Sequence, residues 1–220
     1  MSNLLQLDPH EHGEVLHSGA PMDQAALAVI LIHGRGASAE DILGLGQAFG
    51  VPGVAYLAPQ ASGHIWYPQS FMASRDQNEP YLTSALAKIG ALVRTIEEAG
   101  IPTRRIVIGG FSQGACLSTE FVKSRPAPYA GLIAFTGGLI GPPGSISSPA
   151  IFNGSELRDV PALLLSGDPD PHIPWSRIEE SADVLRAMGA EVTTRRYPGR
   201  PHTVTPEEIT LAAGLLRKAL

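Results

Sequence analysis

Short apolar runs alternate along this chain with segments of helical period. Residues 28–32, 54–58, 105–109, 131–135 and 162–165 are apolar or β-branched almost throughout. Runs of that length and composition read as strands buried on both faces. The run 191–197 is more polar, as an edge strand can be. Between these runs Leu86, Ile89, Val93 and Ile96 recur at helical spacing, so a helix is predicted over 81–99, ended by Gly100 and Pro102. Residues 115–122 can form another. Ser176 with Glu179 fits a capping box ahead of Ile178, Ala182 and Leu185, and Thr205-Pro206-Glu207-Glu208 combines an N-cap, a proline at the first helical position and a second capping box. Strands alternating with helices imply right-handed βαβ units, hence a mostly parallel sheet with helices on both faces and no large separate lid. Residues 1–220 read as one domain without an internal repeat.

Two segments break the rhythm. Residues 60–80 and 137–161 carry little periodicity, and loops of that length in a compact domain are usually functional. In an open α/β sheet ligands bind outside the carboxyl ends of the strands, where such loops form pocket walls. The first contains Trp66, Tyr67 and Phe71 and runs up to Tyr81, an aromatic density suited to a wall.

Composition removes several classes of function. Charged residues make up 17% of the chain and hydrophobic residues 44%, which argues against intrinsic disorder. The net charge is −5 and the basic residues are scattered, so the electrostatic footprint of a nucleic-acid binder is missing. The longest uninterrupted apolar run, 25–32, falls far short of the roughly 20 residues that span a bilayer. Met1-Ser2-Asn3-Leu4-Leu5 has no basic region and no continuous apolar stretch, so no signal peptide is expected and the cytoplasm is the expected location. Cys116 stands alone, which excludes an internal disulfide and clustered thiolate metal sites, and it reads as a small core residue. The histidines show no metal-binding spacing, so no metal is expected.

Gly110-Phe111-Ser112-Gln113-Gly114 matches the Gly-x-Ser-x-Gly nucleophile elbow in its proper setting, after a strand and before a helix. The serine must stand on a sharp turn with its hydroxyl clear, and side chains two residues away on either side would collide unless they were glycine. Such a nucleophile needs a base and an orienting acid, which follow it in the chain as Asp or Glu and then His. Asp168 and Asp170 lie beyond the run 162–165, and His202 lies between the last strand and the capped final helix. His172 is too close to Asp170 to be presented easily from a separate loop. Ser112 is therefore read as nucleophile, His202 as general base and acid, and Asp170 as the carboxylate that fixes the histidine tautomer. Either aspartate could instead be a plain turn former. His33-Gly34-Arg35-Gly36 follows the first buried strand, where a second oxyanion N–H arises, so Arg35 and Gln113 are the expected backbone donors. Gly34-Arg35-Gly36-Ala37-Ser38-Ala39 also fits a dinucleotide fingerprint, but the end of the second strand, Ala58-Pro59-Gln60, lacks the carboxylate that a ribose requires. A nucleotide-binding oxidoreductase, or a binding module that keeps the fold without catalysis, are the rival readings.

With these residues in place the chain resembles the phospholipase/carboxylesterase family of small α/β-hydrolases, which includes acyl-protein thioesterases. The resemblance rests on Leu31-Ile32-His33-Gly34-Arg35-Gly36, Trp66-Tyr67, the elbow, Gly167-Asp168-Pro169-Asp170-Pro171 with Ile173-Pro174, and His202, in the family's order over nearly the whole chain. It implies an α/β-hydrolase fold and hydrolysis of carboxylic esters, thioesters or lysophospholipids without a cofactor. It also favours Asp170 over Asp168 as the catalytic acid. Arg35 stands where eukaryotic thioesterase-like members tend to carry an apolar residue, which points to small esters. Trp66, Tyr67 and His33 are the expected substrate-binding residues, with Trp66 closing the pocket and the Arg35 side chain fringing it. The expected partner is a small-molecule ester, and the expected assembly a monomer or homodimer.

Overall fold

The computed structural model describes residues 8–146 and 152–220. Part of the predicted loop 137–161, and the N-terminal stretch read for a signal peptide, lie outside them. Seven strands form one sheet: β1 (Val15–Gly19), β2 (Leu27–Ile32), β3 (Val54–Pro59), β4 (Ile106–Phe111), β5 (Gly131–Phe135), β6 (Pro161–Asp168) and β7 (Glu191–Pro198). Their spatial order is β1-β3-β2-β4-β5-β6-β7. β1 runs antiparallel to β3, and all other pairs are parallel. Five helices connect them: α1 (Ala39–Ala48), α2 (Tyr81–Glu98), α3 (Gln113–Ser124), α4 (Trp175–Ala187) and α5 (Pro206–Ala219).

Alternation along β2 divides the core. Ala28, Ile30 and Ile32 pack with Leu82 and Ile89 of α2, Leu117 and Phe121 of α3 and Ile178 of α4. Leu27, Val29 and Leu31 pack on the other face with Ile42 and Leu43 of α1 and Ala212 and Leu216 of α5. The central strand is buried on both sides, which is why it reads as an unbroken apolar run. β3 lies on one side of β2 and β4 on the other, so the strand order reverses at β2. The crevice at such a reversal, at the carboxyl ends of the strands, is where open α/β sheets bind ligands. Ile32 pairs with Gly110 there, which brings the ends of β2 and β4 side by side. No helix among the described residues is long and apolar enough to cross a membrane.

Three local readings need correction. β1 was not foreseen, because Val15-Leu16-His17-Ser18-Gly19 is a half-exposed edge strand with one partner and little apolar signal. The capping box expected at Ser176 does not form. Pro174, with extended backbone, occupies the N-cap of α4, the helix starts at Trp175, and no side chain caps it. Ser176 is thereby the second residue of the helix, two positions inside the N-cap. At α5, by contrast, Thr205 and Glu208 make the reciprocal box. The loop 60–80 holds two short 3₁₀ turns, Ser62–His64 and Arg75–Asn78, and its aromatic residues Trp66, Tyr67 and Phe71 are buried in the core.

Candidate active site

Ser112 lies between β4 and α3 with φ 55° and ψ −118°, a backbone conformation that a residue with a side chain rarely adopts. Its N–H is held by Phe135 O at 2.9 Å. The two flanking glycines make the turn possible. A Cβ at Gly110 would stand 2.6 Å from Ile32 O, and one at Gly114 would stand 2.0 Å from the same atom. Across the crevice a Cβ at Gly34 would lie 3.4 Å from Ser112 Cβ, so the loop after β2 runs directly beside the serine.

Two long-range hydrogen bonds meet Ser112 and Asp170 at one ring. His202 Nε2 is 2.9 Å from Ser112 Oγ, and His202 Nδ1 is 2.8 Å from Asp170 Oδ2. A carboxylate only accepts, so Nδ1 carries the proton and Nε2 is left to accept from the serine hydroxyl. Asp170 Oδ1 accepts from the backbone N–H groups of His172 and Ile173, each at 2.9 Å. Burial pushes the Asp170 carboxyl upward, but the bonds from His202, His172 and Ile173 outweigh it and hold the group below its ordinary value. Asp168 turns the other way and forms an ion pair with Arg196 on the edge strand.

The cleft beside Ser112 measures about 620 Å³ and is lined by residues that include Arg35, Tyr67, Phe71, Gln113, His172 and Ile173. No Asp or Glu is among its lining residues. Among the described residues the backbone N–H groups of Arg35 and Gln113 make no hydrogen bond. Gln113 is the first residue of α3, so its N–H is one of the helix-start donors left without an intrahelical partner. A negative charge developing beside Ser112 would meet such donors.

Three expectations about the pocket change. Trp66 does not close it. The residue is wholly buried, its indole N–H donates to His33 O at 2.9 Å, and its ring lies 5.0 Å from that of His33 and 5.2 Å from that of His10. A large ring with a single donor is best placed in the interior with that donor satisfied. His33 likewise faces away from the cleft: its Nδ1 donates to Gly34 O at 2.8 Å and its Nε2 accepts from Ala61 N–H at 3.1 Å. Burial lowers its pKa. Arg35 does line the cleft, but its guanidinium is spent on the carbonyls of Tyr67, Pro68 and Gln69. Tyr67 reaches the cleft as expected.

Several contributors were not anticipated. The His172 ring stands edge-on to that of His202, 5.0 Å between centroids, and the Phe111 ring lies tilted against the same imidazole, also at 5.0 Å. The spacing Asp170-x-His172 is the one signal that pointed there, since it lets the same turn serve the carboxylate and carry the ring. The Gln113 side chain holds Trp66 and Tyr67, which nothing in the elbow pattern indicates. Cys116 also lines the cleft and contacts Tyr67, and burial pushes its thiol up to about 12, well above the range of activated thiols. Gln60, where the dinucleotide fingerprint wants a carboxylate, accepts from Ala39 N–H at 2.9 Å. Among the described residues no three His, Cys, Asp or Glu side chains converge as metal ligands would.

Comparisons with known proteins give the chain a family and a fold. A model of the family described as phospholipase/carboxylesterase matches residues 14–220. Acyl-protein thioesterase 1 of Gibberella zeae is 30% identical over 129 residues, covering 59% of this chain and 54% of that protein. Acyl-protein thioesterase 1 of Neurospora crassa is 29% identical over 147 residues, covering 66% and 59%. The chain thus spans little more than half the length of these first curated relatives. A crystal structure of a phospholipase/carboxylesterase from Dyadobacter fermentans superposes with a TM-score of 0.86 at 43% identity, covering 93% of this chain and 96% of that one. The fold is that of the α/β-hydrolases.

Proposed function

This chain belongs to the phospholipase/carboxylesterase family, and from that premise we propose that it is a serine hydrolase of carboxylic esters working through an acyl-enzyme. The observation that carries the proposal is the unbroken path from Ser112 Oγ through His202 to Asp170, with two hydrogen bonds of 2.9 and 2.8 Å. Ser112 Oγ attacks the ester carbonyl carbon as its proton passes to His202 Nε2. The charged imidazolium that forms is stabilised by the Asp170 carboxylate, which stays ionised. The carbonyl oxygen, now negative, is received by the N–H groups of Gln113 and Arg35, each such donor being worth about 2.7–4 kcal/mol in the transition state. His202 returns the proton to the departing alcohol oxygen. A water then attacks the acyl-serine by the same route, which releases the acid and restores the enzyme.

The cleft suits small substrates. At about 620 Å³ it lies within the range of ordinary small-molecule pockets, and Tyr67, Phe71 and Ile173 give it apolar walls. Acetyl to hexanoyl esters are the proposed substrates, thioesters of similar size being open to the same chemistry. The relatives named as acyl-protein thioesterases support the reaction type. The test is a series of p-nitrophenyl esters of graded chain length beside matching thioesters. The expected result is highest kcat/KM from acetyl to hexanoyl. A steady rise through palmitoyl overturns the substrate reading, and no turnover of any ester or thioester favours a binding module built on the same fold.

A further inference from the structure

Residues 67–71 form a wall of the cleft without belonging to any helix or strand. Their backbone polar groups have no ladder to join and need other partners. Side chains supply them. Trp66 N–H donates to Gln113 Oε1 at 2.9 Å, and Tyr67 O accepts from Gln113 Nε2 at 2.8 Å. Gln69 N–H donates to Asn78 Oδ1 at 2.8 Å, and Ser70 O accepts from Asn78 Nδ2 at 3.0 Å. Between these buried holds sits Arg35. Its Nη2 donates to Tyr67 O at 2.9 Å and to Gln69 O at 2.8 Å, and its Nη1 donates to Pro68 O at 3.1 Å.

One guanidinium therefore grips three consecutive carbonyls of the wall. Among the described residues it forms no ion pair with a carboxylate. Its charge is directed entirely to the loop. Hydrogen bonds from a charged donor are the stronger kind, and the planar fork of arginine reaches several acceptors that a lysine ammonium cannot serve together. Arg35 also follows Gly34, which lies beside Ser112. The same residue thus joins the loop next to the reacting serine to the wall that an acyl chain would touch.

We propose that Arg35 is a specificity-determining residue: its side chain clamps residues 67–69 and so sets how long an acyl chain the cleft accepts. This rests on the ester hydrolase reading above. Releasing the clamp lets the wall move outward, and the longer chains that wild type rejects gain room.

The test compares wild type, Arg35→Met and Arg35→Lys on two measurements. In kcat/KM across acetyl to dodecanoyl p-nitrophenyl esters, Arg35→Met is expected to lose about tenfold to a hundredfold on the shortest esters, through misplacement near the serine. Its optimum is expected to shift to longer chains, with a relative gain of up to about fourfold for each further methylene buried. Arg35→Lys is expected to fall between the two. In hydrogen exchange, the Trp66 and Gln69 amides are expected to exchange faster in Arg35→Met than in wild type. A chain-length profile scaled down by one factor for all esters overturns the specificity role. Unchanged exchange at Trp66 and Gln69 overturns the clamp whatever the activity. Absence of ester turnover by wild type instead overturns the function reading, and with it the specificity role.

Discussion

Arg200 is buried against Glu208 of α5, with Nη2 3.4 Å from Oε1, while its Nη1 donates to the carbonyls of Pro201 and Thr203, the two residues that flank His202. The remaining Nη2 contact is Thr136 Oγ1 at 2.7 Å. The loop that presents His202 is thus shaped from beneath by one internal cation. Its partner Glu208 is at the same time the capping-box residue of α5.

Arg200→Met leaves the Glu208 carboxylate in the interior without its cation. Breaking a buried pair in this way costs about 3–5 kcal/mol, so the urea unfolding midpoint should drop sharply. A double variant, Arg200→Met with Glu208→Gln, should recover much of the loss, because no unpaired charge remains. Equal instability of the single and double variants would mean that packing, and not charge, is what Arg200 supplies.

Ser112→Ala and His202→Ala should each lower kcat by about a millionfold, and the double variant should be little worse than either, since members of a triad act as a unit. Stability should respond differently. Ser112 holds a strained positive φ, a conformation that costs on the order of 1–3 kcal/mol for a residue with a side chain. Ser112→Gly should therefore raise the unfolding free energy while it abolishes turnover. An unchanged or lower midpoint in Ser112→Gly would count against strain at the elbow.

The two aspartates of the turn after β6 should separate cleanly. Asp170→Asn is expected to lower kcat by about 10⁴, because an amide in that place favours the wrong histidine tautomer. Asp168→Asn removes a partly exposed ion pair with Arg196, a kind of interaction worth about 0–1 kcal/mol, and should leave kcat within a few-fold of wild type. Steady-state kinetics on one short ester decides between them. Loss of kcat in Asp168→Asn of the size expected for Asp170→Asn would reverse their roles.

Acid should destabilise the fold through its buried histidines. Burial holds His10 and His33 below their ordinary value of 6.5. Below that pH the unfolded chain takes up protons that the folded rings refuse, so stability is complete above about 6.5 and is lost as pH falls toward the folded values. Glu120, pushed up by burial, acts in the opposite direction, nearer its ordinary value of 4.5. Tm measured from pH 7.5 to 5.5 should therefore decline, and His10→Gln should flatten the slope while lowering Tm throughout. A level Tm over that interval would mean that these rings accept protons without opening the structure.

The six strands from β2 to β7, the elbow turn and the cap of α5 were legible because each is written in local chemistry. β2 reads as a strand since every residue of it is apolar, and β2 is buried throughout. Ser112 reads as a turn residue since glycine stands two places away on both sides, and both glycines meet the carbonyl of Ile32. Thr205 and Glu208 announce α5 by a bond within three residues of chain. What tertiary structure alone decided has the opposite character. Asp168 and Asp170 share one turn and either could have been a plain turn former; the resemblance favoured Asp170, and the fold turns Asp170 to His202 and Asp168 to Arg196. Trp66 and Tyr67 are adjacent aromatic residues and both are buried, yet only Tyr67 borders the cleft. Arg35 looks like a free cation until residues 67–69, more than thirty positions away, bring three carbonyls to its guanidinium. Arg200 looks like a surface residue until Glu208 and Thr136 close over it. In each case the deciding partner is distant in the chain, and a side chain's direction depends on what the fold sets in front of it.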